Sequence, residues 1–224
     1  MAAQTETARE FLVLGDAFLD VVVPGLARLP RWDADELCGP IQFMAGGGGL
    51  NTACHLARTG ARVELRCALG DDDAGRQLQD AAAAAGVTIA PLQGEGATGV
   101  CVVLSGQADR AFATHRGRVA TCRVSDADVA RAVEVGKAGG HVHIAGFYNM
   151  PGIRAGLKKL LKAARRAGAA TSLNPQWDAS EAWDGIVDTF TEAELDFLLC
   201  STAEADALSA KLEAGGAGDA GARL

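Results

Sequence analysis

Gly46-Gly47-Gly48-Gly49-Leu50-Asn51 is the stretch on which the reading of this chain turns. Consecutive glycines let a ligand approach the main chain, and Leu50 to Thr59 reads as a helix whose first amides have no partner within the helix. A flexible linker would not be followed at once by such an amphipathic segment. Upstream, Asp16 closes the apolar strand Phe11-Leu12-Val13-Leu14. It therefore stands at a strand's carboxyl end, where open α/β sheets place their ligands. A carboxylate there can accept hydrogen bonds from two neighbouring hydroxyls. Together these residues predict a site for a small polyol.

The chain around this site alternates short apolar runs with helical patterns. Strand Phe11 to Leu14, helix Leu50 to Thr59, strand Val63 to Ala68 and helix Ala74 to Ala85 set a βαβ rhythm. Helix Asp126 to Lys137, strand His141 to Ala145, helix Ile153 to Ala167, strand Ala169 to Leu173, strand Phe197 to Cys200 and helix Ala203 to Leu212 continue it. The expected fold is α/β, a mostly parallel sheet with helices on both faces. Leu19 to Val23, Leu37 to Met44, Val100 to Leu104 and Arg110 to Thr114 read as strands without intervening helices, so they should form a separate small sheet.

Composition bounds the function. Hydrophobic residues make up 49% and charged residues 22% of the 224, enough for one good core. A formal net charge of −7 disfavours nucleic acid or an anionic membrane as partner, because both reward a basic surface. Six cysteines without a C-x-x-C pair indicate neither a zinc module nor a disulfide framework. No apolar run approaches the ~18 residues of a membrane span, and Met1 to Glu10 has no apolar core for a secretory signal. The expected location is cytoplasmic.

The site residues carry a resemblance. Gly15-Asp16 with Asp20, then Gly-Gly-x-x-x-Asn over 46 to 51, resembles the amino-terminal signature of the ribokinase-like (PfkB) sugar kinase family. Ala68 to Gly75 is similar to that family's Gly-x-Asp-x-x-Gly turn, Thr98-Gly99 to the start of a lid strand, and Ile144-Ala145-Gly146 to a strand end facing the site. Asn174-Pro175-Gln176 resembles Asp-Pro-Asn, with Asn and Gln substituted. Leu198 to Glu204 resembles the Asn-x-x-Glu segment, with Ser201 in place of Asn. The resemblance implies a small β-sheet lid and transfer of the ATP γ-phosphoryl group to a hydroxymethyl oxygen of a sugar or nucleoside. On that basis Asp16, Gly46, Gly47 and Asn51 would bind the acceptor, Glu204 would help place Mg2+ indirectly, and a homodimer through the lid is an open expectation.

The carboxyl end departs from the family. Gly216-Ala217-Gly218-Asp219-Ala220 spells the core of the motif that holds the catalytic base, yet Glu213-Ala214 stands where Asp-Thr belongs. Asp219 is the candidate base and the amides of Gly216, Ala217 and Gly218 are the candidate anion hole, the alternative being an accidental string in an Ala/Gly-rich tail. The resulting division is a leader over 1–10, a ribokinase-like domain over 11–212 without the nucleotide-binding half, and an Ala/Gly-rich tail over 213–224. The chain as written is expected to be inactive or nearly so. The alternative is a non-catalytic sugar-binding or regulatory protein. A nicotinamide dehydrogenase is disfavoured, because Gly15-Asp16-Ala17-Phe18 stands where G-x-G-x-x-G would follow the first strand.

Other constellations have plainer readings. His141 and His143 share a strand face, but no third metal ligand has a matching spacing, so packing is expected. Lys158, Lys159, Lys162, Arg165 and Arg166 make a solvated helix face, and Asp71-Asp72-Asp73 reads as a helix cap.

Overall fold

The structure, a computed structural model, describes residues 9–107, 109–193 and 195–214. Its strands and helices in chain order are β1 (Glu10–Gly15), β2 (Phe18–Leu26), β3 (Gln42–Gly46), α1 (Gly48–Arg58), β4 (Arg62–Cys67), α2 (Asp73–Ala84), β5 (Thr88–Pro91), β6 (Gly99–Gly106) and β7 (Arg110–His115). They continue with α3 (Arg118–Thr121), α4 (Asp126–Lys137), β8 (His141–Ala145), α5 (Arg154–Arg166), β9 (Ala170–Asn174), α6 (Ile186–Ala193), β10 (Phe197–Leu198) and α7 (Thr202–Ala214). Strands β10-β9-β8-β1-β4-β5 form one sheet in that order, with every pairing parallel. Strands β3-β2-β6-β7 form a separate mixed sheet.

The continuous apolar run of β1 follows from burial on both faces, the usual state of a parallel sheet. Val13 packs with Leu65, Leu50, Ala53, Leu78 and Ala82 under α1 and α2. Its neighbours Leu12 and Leu14 point the other way, into a larger core with Val142, Ile144 and the apolar residues of α4 and α5. In α5, Leu157, Leu160, Leu161 and Ala164 are fully buried at i, i+3, i+4 and i+7, and each leucine contributes roughly 1.5–3 kcal/mol by leaving water. The opposite face carries cations engaged with acids, Lys159 with Asp126 at 2.7 Å and Arg165 with Asp196.

Caps set the helix starts. Asp72 accepts from the Gly75 N–H at 2.8 Å at the head of α2, and Ser125 with Asp128 forms a reciprocal capping box at α4. The three-Asp run is thus a cap. His141 and His143 both bond the Ser172 hydroxyl at 2.7 Å, so the pair packs against β9.

Three differences from the sequence expectation have local causes. The lid strand expected from Leu37 begins only at Gln42, because Gly39-Pro40 intervenes and the Gly39 amide is turned back onto the Pro24 carbonyl at 2.8 Å. Strand β5 is an edge strand of four residues ending in Pro91, too short to register as a pattern. Helix α6 is rich in β-branched residues, which favour strands in isolation; burial of Ile186 and Thr189 in the core sets it instead.

Candidate functional site

Because the large sheet is parallel, the segments following β1, β8, β9 and β10 all emerge at one edge. Asp16 follows β1 and is 0% exposed. Its Oδ1 accepts from the Gly49 N–H at 3.0 Å, and its carbonyl accepts from the Leu50 N–H at 3.2 Å. The first turn of α1 is therefore tied to the end of β1. Glycine is required on both sides of this junction, since a Cβ on Gly49 would lie 2.5 Å from the Gly15 Cα. A Cβ on Gly46 would collide with the Asp20 carboxylate, so that glycine makes room for an acid.

The other oxygen of Asp16 faces two carboxamides. Asn149, three residues beyond the Gly146 turn after β8, donates from Nδ2 to Oδ2 at 2.7 Å. Gln176, two residues after β9, lies against the same oxygen. With its amide turned so that nitrogen faces the acid, it donates to Asp16 Oδ2 at 2.8 Å and accepts from the Gly48 N–H at 3.2 Å. In the reverse sense the amide oxygen faces that carboxylate oxygen while accepting from Asn149 Nδ2, and the amide nitrogen reaches Asp16 Oδ1 at 3.5 Å; turning the amide exchanges the Asn149 bond for two facing amide nitrogens.

Burial pushes the Asp16 carboxyl above its ordinary range, while the bonds from Asn149 and the Gly49 and Gly48 amides pull it partly back. Asp20, on β2 opposite Met44 of β3 and Cys101 of β6, is half-buried. Desolvation, and then the charge of Asp16, push its carboxyl up to about 6. The lid thus presents to the site an acid held well above the usual carboxylate range.

The base of the lid is fastened to the body. Thr98, just before β6, accepts from the Gly70 N–H at 2.8 Å, and its own N–H donates to Asp72 at 2.8 Å. Arg116 and Arg118, just after β7, donate to the carbonyls of Tyr148 at 3.2 Å and Leu69 at 2.7 Å.

Asp16, Gly46 and Gly47 come together as the sequence suggested. Asn51 sits one turn into α1 with its side chain exposed, and its N–H donates to the Gly47 carbonyl at 3.0 Å. The expectation that the first α1 amides are open to a ligand needs revision, because Gly49 and Leu50 donate to Asp16 and the Gly48 amide lies between Asp16 and the Gln176 carboxamide. Glu204 is at the head of α7 in a capping box, accepting from the Ser201 N–H at 2.9 Å while the Ser201 hydroxyl accepts from its own N–H at 3.3 Å. Asp219, Gly216, Ala217 and Gly218 lie outside the described residues. Sequence reasoning missed Asn149, whose only signal was its place after a strand end.

Comparison with known proteins now adds a decisive observation: the profile of the pfkB family carbohydrate kinases matches residues 10–220. The chain belongs to that family. Among solved structures, the PfkB protein from Polaromonas sp. JS666 is similar at 22% identity and a TM-score of 0.70, over 91% of this chain and 69% of that one. Adenosine kinase from Sinorhizobium meliloti is similar at 19% identity and a TM-score of 0.68, over 90% and 68%. Arabidopsis thaliana ribokinase, solved with ribose and ATP, is similar at 21% identity and a TM-score of 0.67, over 91% and 64%. These likenesses show a ribokinase-like fold, and this PfkB chain spans about two thirds of the length of each. No curated protein sequence matches it.

Proposed function

We propose that the edge of the large sheet around Asp16 binds a hydroxyl-rich acceptor, a sugar or nucleoside, as the acceptor half of an ATP-dependent phosphotransfer to a hydroxymethyl oxygen. The observation that carries this reading is the buried Asp16 carboxylate at a strand's carboxyl end, bounded by glycines and by the Asp20 acid of the lid. Asp16 would accept from acceptor hydroxyls, the Gly46-Gly47 backbone would approach the ring, and Asn51 would close over it from α1. Phosphoryl transfer depends mainly on positioning and charge neutralisation, which such a cradle supplies for the acceptor.

ATP and Mg2+ enter through the family alone. Among the described residues no three His, Cys, Asp or Glu side chains gather to hold a metal ion, and Glu204 is engaged with the Ser201 amide. The role proposed for Glu204, by the family resemblance, is an indirect one in placing Mg2+. Glu213-Ala214, where the family has Asp-Thr, supports the further proposal that these 224 residues alone bind acceptor without turning it over. A non-catalytic sugar-binding or regulatory remnant of such a kinase is the second reading, favoured by Glu213-Ala214 where the family has Asp-Thr.

A second copy of the chain is proposed to pair through the lid. Register places Val21, Phe43, Val102 and Ala113 side by side on one face of the small sheet, with Phe43 66% exposed. No helix among the described residues is long and apolar enough to cross a membrane.

Calorimetric titration with pentoses, hexoses and nucleosides, with and without Mg-ATP, tests the proposal. Saturable binding of one of these classes without ATP is expected. Binding of none would remove the acceptor reading, and robust phosphorylation by this chain alone would remove the claim of inactivity.

A further inference from the structure

We infer that Gln176 is a built-in stand-in for a vicinal diol, and that ligands enter the Asp16 cradle by displacing it. The inference rests on the acceptor-site reading above. A carboxamide offers a donor and an acceptor side by side. Gln176 places its donor on Asp16 Oδ2 at 2.8 Å and its acceptor on the Gly48 N–H at 3.2 Å. One hydroxyl donating to Asp16 with its neighbour accepting from Gly48 would satisfy the same two groups. The amide occupies the space itself, since a Cβ on Gly48 would collide with the end of the Gln176 side chain whichever way its amide is turned. With Gln176 and Asn149 in place, Asp16 is 0% exposed, so no ligand reaches it without a side chain moving.

The backbone under Gln176 suits a displaceable group. Gln176 has φ +56, a left-handed conformation that costs a non-glycine residue energy and that persists only where its surroundings hold it. Trp177 beside it is 49% exposed, whereas Pro175 before it and Asp178 after it are buried. The residue is therefore a raised side chain between two anchors. Each ligand must replace the contacts Gln176 already makes, so apparent affinity is reduced by the fraction of molecules in which the cradle is open. The competition also selects: a ligand with a single hydroxyl at this point recovers one of the two contacts, and a vicinal diol recovers both.

Gln176→Ala is the test, with Gln176→Asn as a second variant that keeps an amide too short to bridge both groups. Two readouts are taken on the intact chain: diol affinity, by titration with ribose and its 2-deoxy analogue, and hydrogen exchange at the Gly48 amide. Both variants should bind ribose about tenfold more tightly than the wild type, the size of one to two net hydrogen bonds no longer displaced. Gly48 should exchange at least tenfold faster in the variants, with exchange in β1 and β8 unaltered. Equal or weaker ribose binding in both variants would overturn the inference while leaving the acceptor site standing. An unchanged Gly48 exchange rate would also overturn it, since the contact would then be absent in solution. If neither wild type nor variants bind any diol, the acceptor reading fails and the inference falls with it.

Discussion

Two connections meet at Asp16 and are built by opposite means. The turn from β1 and the start of α1 rely on absent side chains: a Cβ on Gly15 would lie 2.4 Å from the Gly49 Cα, and one on Gly49 2.5 Å from the Gly15 Cα. The segment from β9 to α6 relies on present ones. It forces Gln176, Glu181 and Trp183 into φ values of +56, +54 and +55, and fastens them through Asp178, which accepts from the Ser180 N–H at 3.0 Å and the Trp183 N–H at 2.8 Å. Trp183 is buried edge-on between Tyr148 and Trp177. The first connection fixes where a ligand can approach, and the second decides what fills the space meanwhile.

Breaking the first connection should have the largest effect. Gly49→Val would drive a branched side chain into the Gly15 backbone, and a loss of about 3 kcal/mol or more is expected, read from the urea midpoint. A loss under about 1 kcal/mol would mean that the junction yields and that the glycine run has a different purpose.

Breaking the second should cost less and look different. Asp178→Ala leaves the buried Trp183 amide and the part-buried Ser180 amide without their acceptor, for about 2 kcal/mol, with red-shifted Trp fluorescence as the 175–185 loop loosens. Unchanged fluorescence would show that the aromatic stack alone holds the loop.

The smallest effect sharpens the comparison from the lid side. The Asp20 carboxyl, pushed up to about 6, keeps its proton in the folded state through a pH range where an unfolded Asp, with a pKa near ~3.9, has lost it. Its contribution is therefore full below about pH 4 and is lost as pH rises through about 6. Asp20→Asn should flatten the decline in urea midpoint between pH 4.5 and 7.5. A decline of wild-type steepness in the variant would place the titration elsewhere.

What could be read in the sequence follows the same division. The fold was legible because β1 and α5 have burial patterns that only a doubly covered sheet and an amphipathic helix satisfy, and because glycines mark close approaches. Asp16, Gly46 and Gly47 were legible for the second reason. The engagement of Gly48 by Gln176 was not, since a glutamine beyond a strand end has no spacing that tells whether it points to solvent or folds back. Asn149 was hidden likewise, because its role depends on the distance between β8 and β1, which is set by pairing across the sheet. Ser201 departs from the family's Asn, yet serine caps α7 as readily as asparagine would.

The central claim is that the Asp16 carboxylate is a hydroxyl acceptor for a small polyol, and Asp16→Asn tests it most directly. Thermal stabilisation by pentoses, hexoses and nucleosides would be compared between wild type and variant, with urea midpoints confirming that both are folded. The account predicts that at least one class stabilises the wild type and that its affinity falls at least tenfold in the variant. Stabilisation of equal size in both proteins would contradict it.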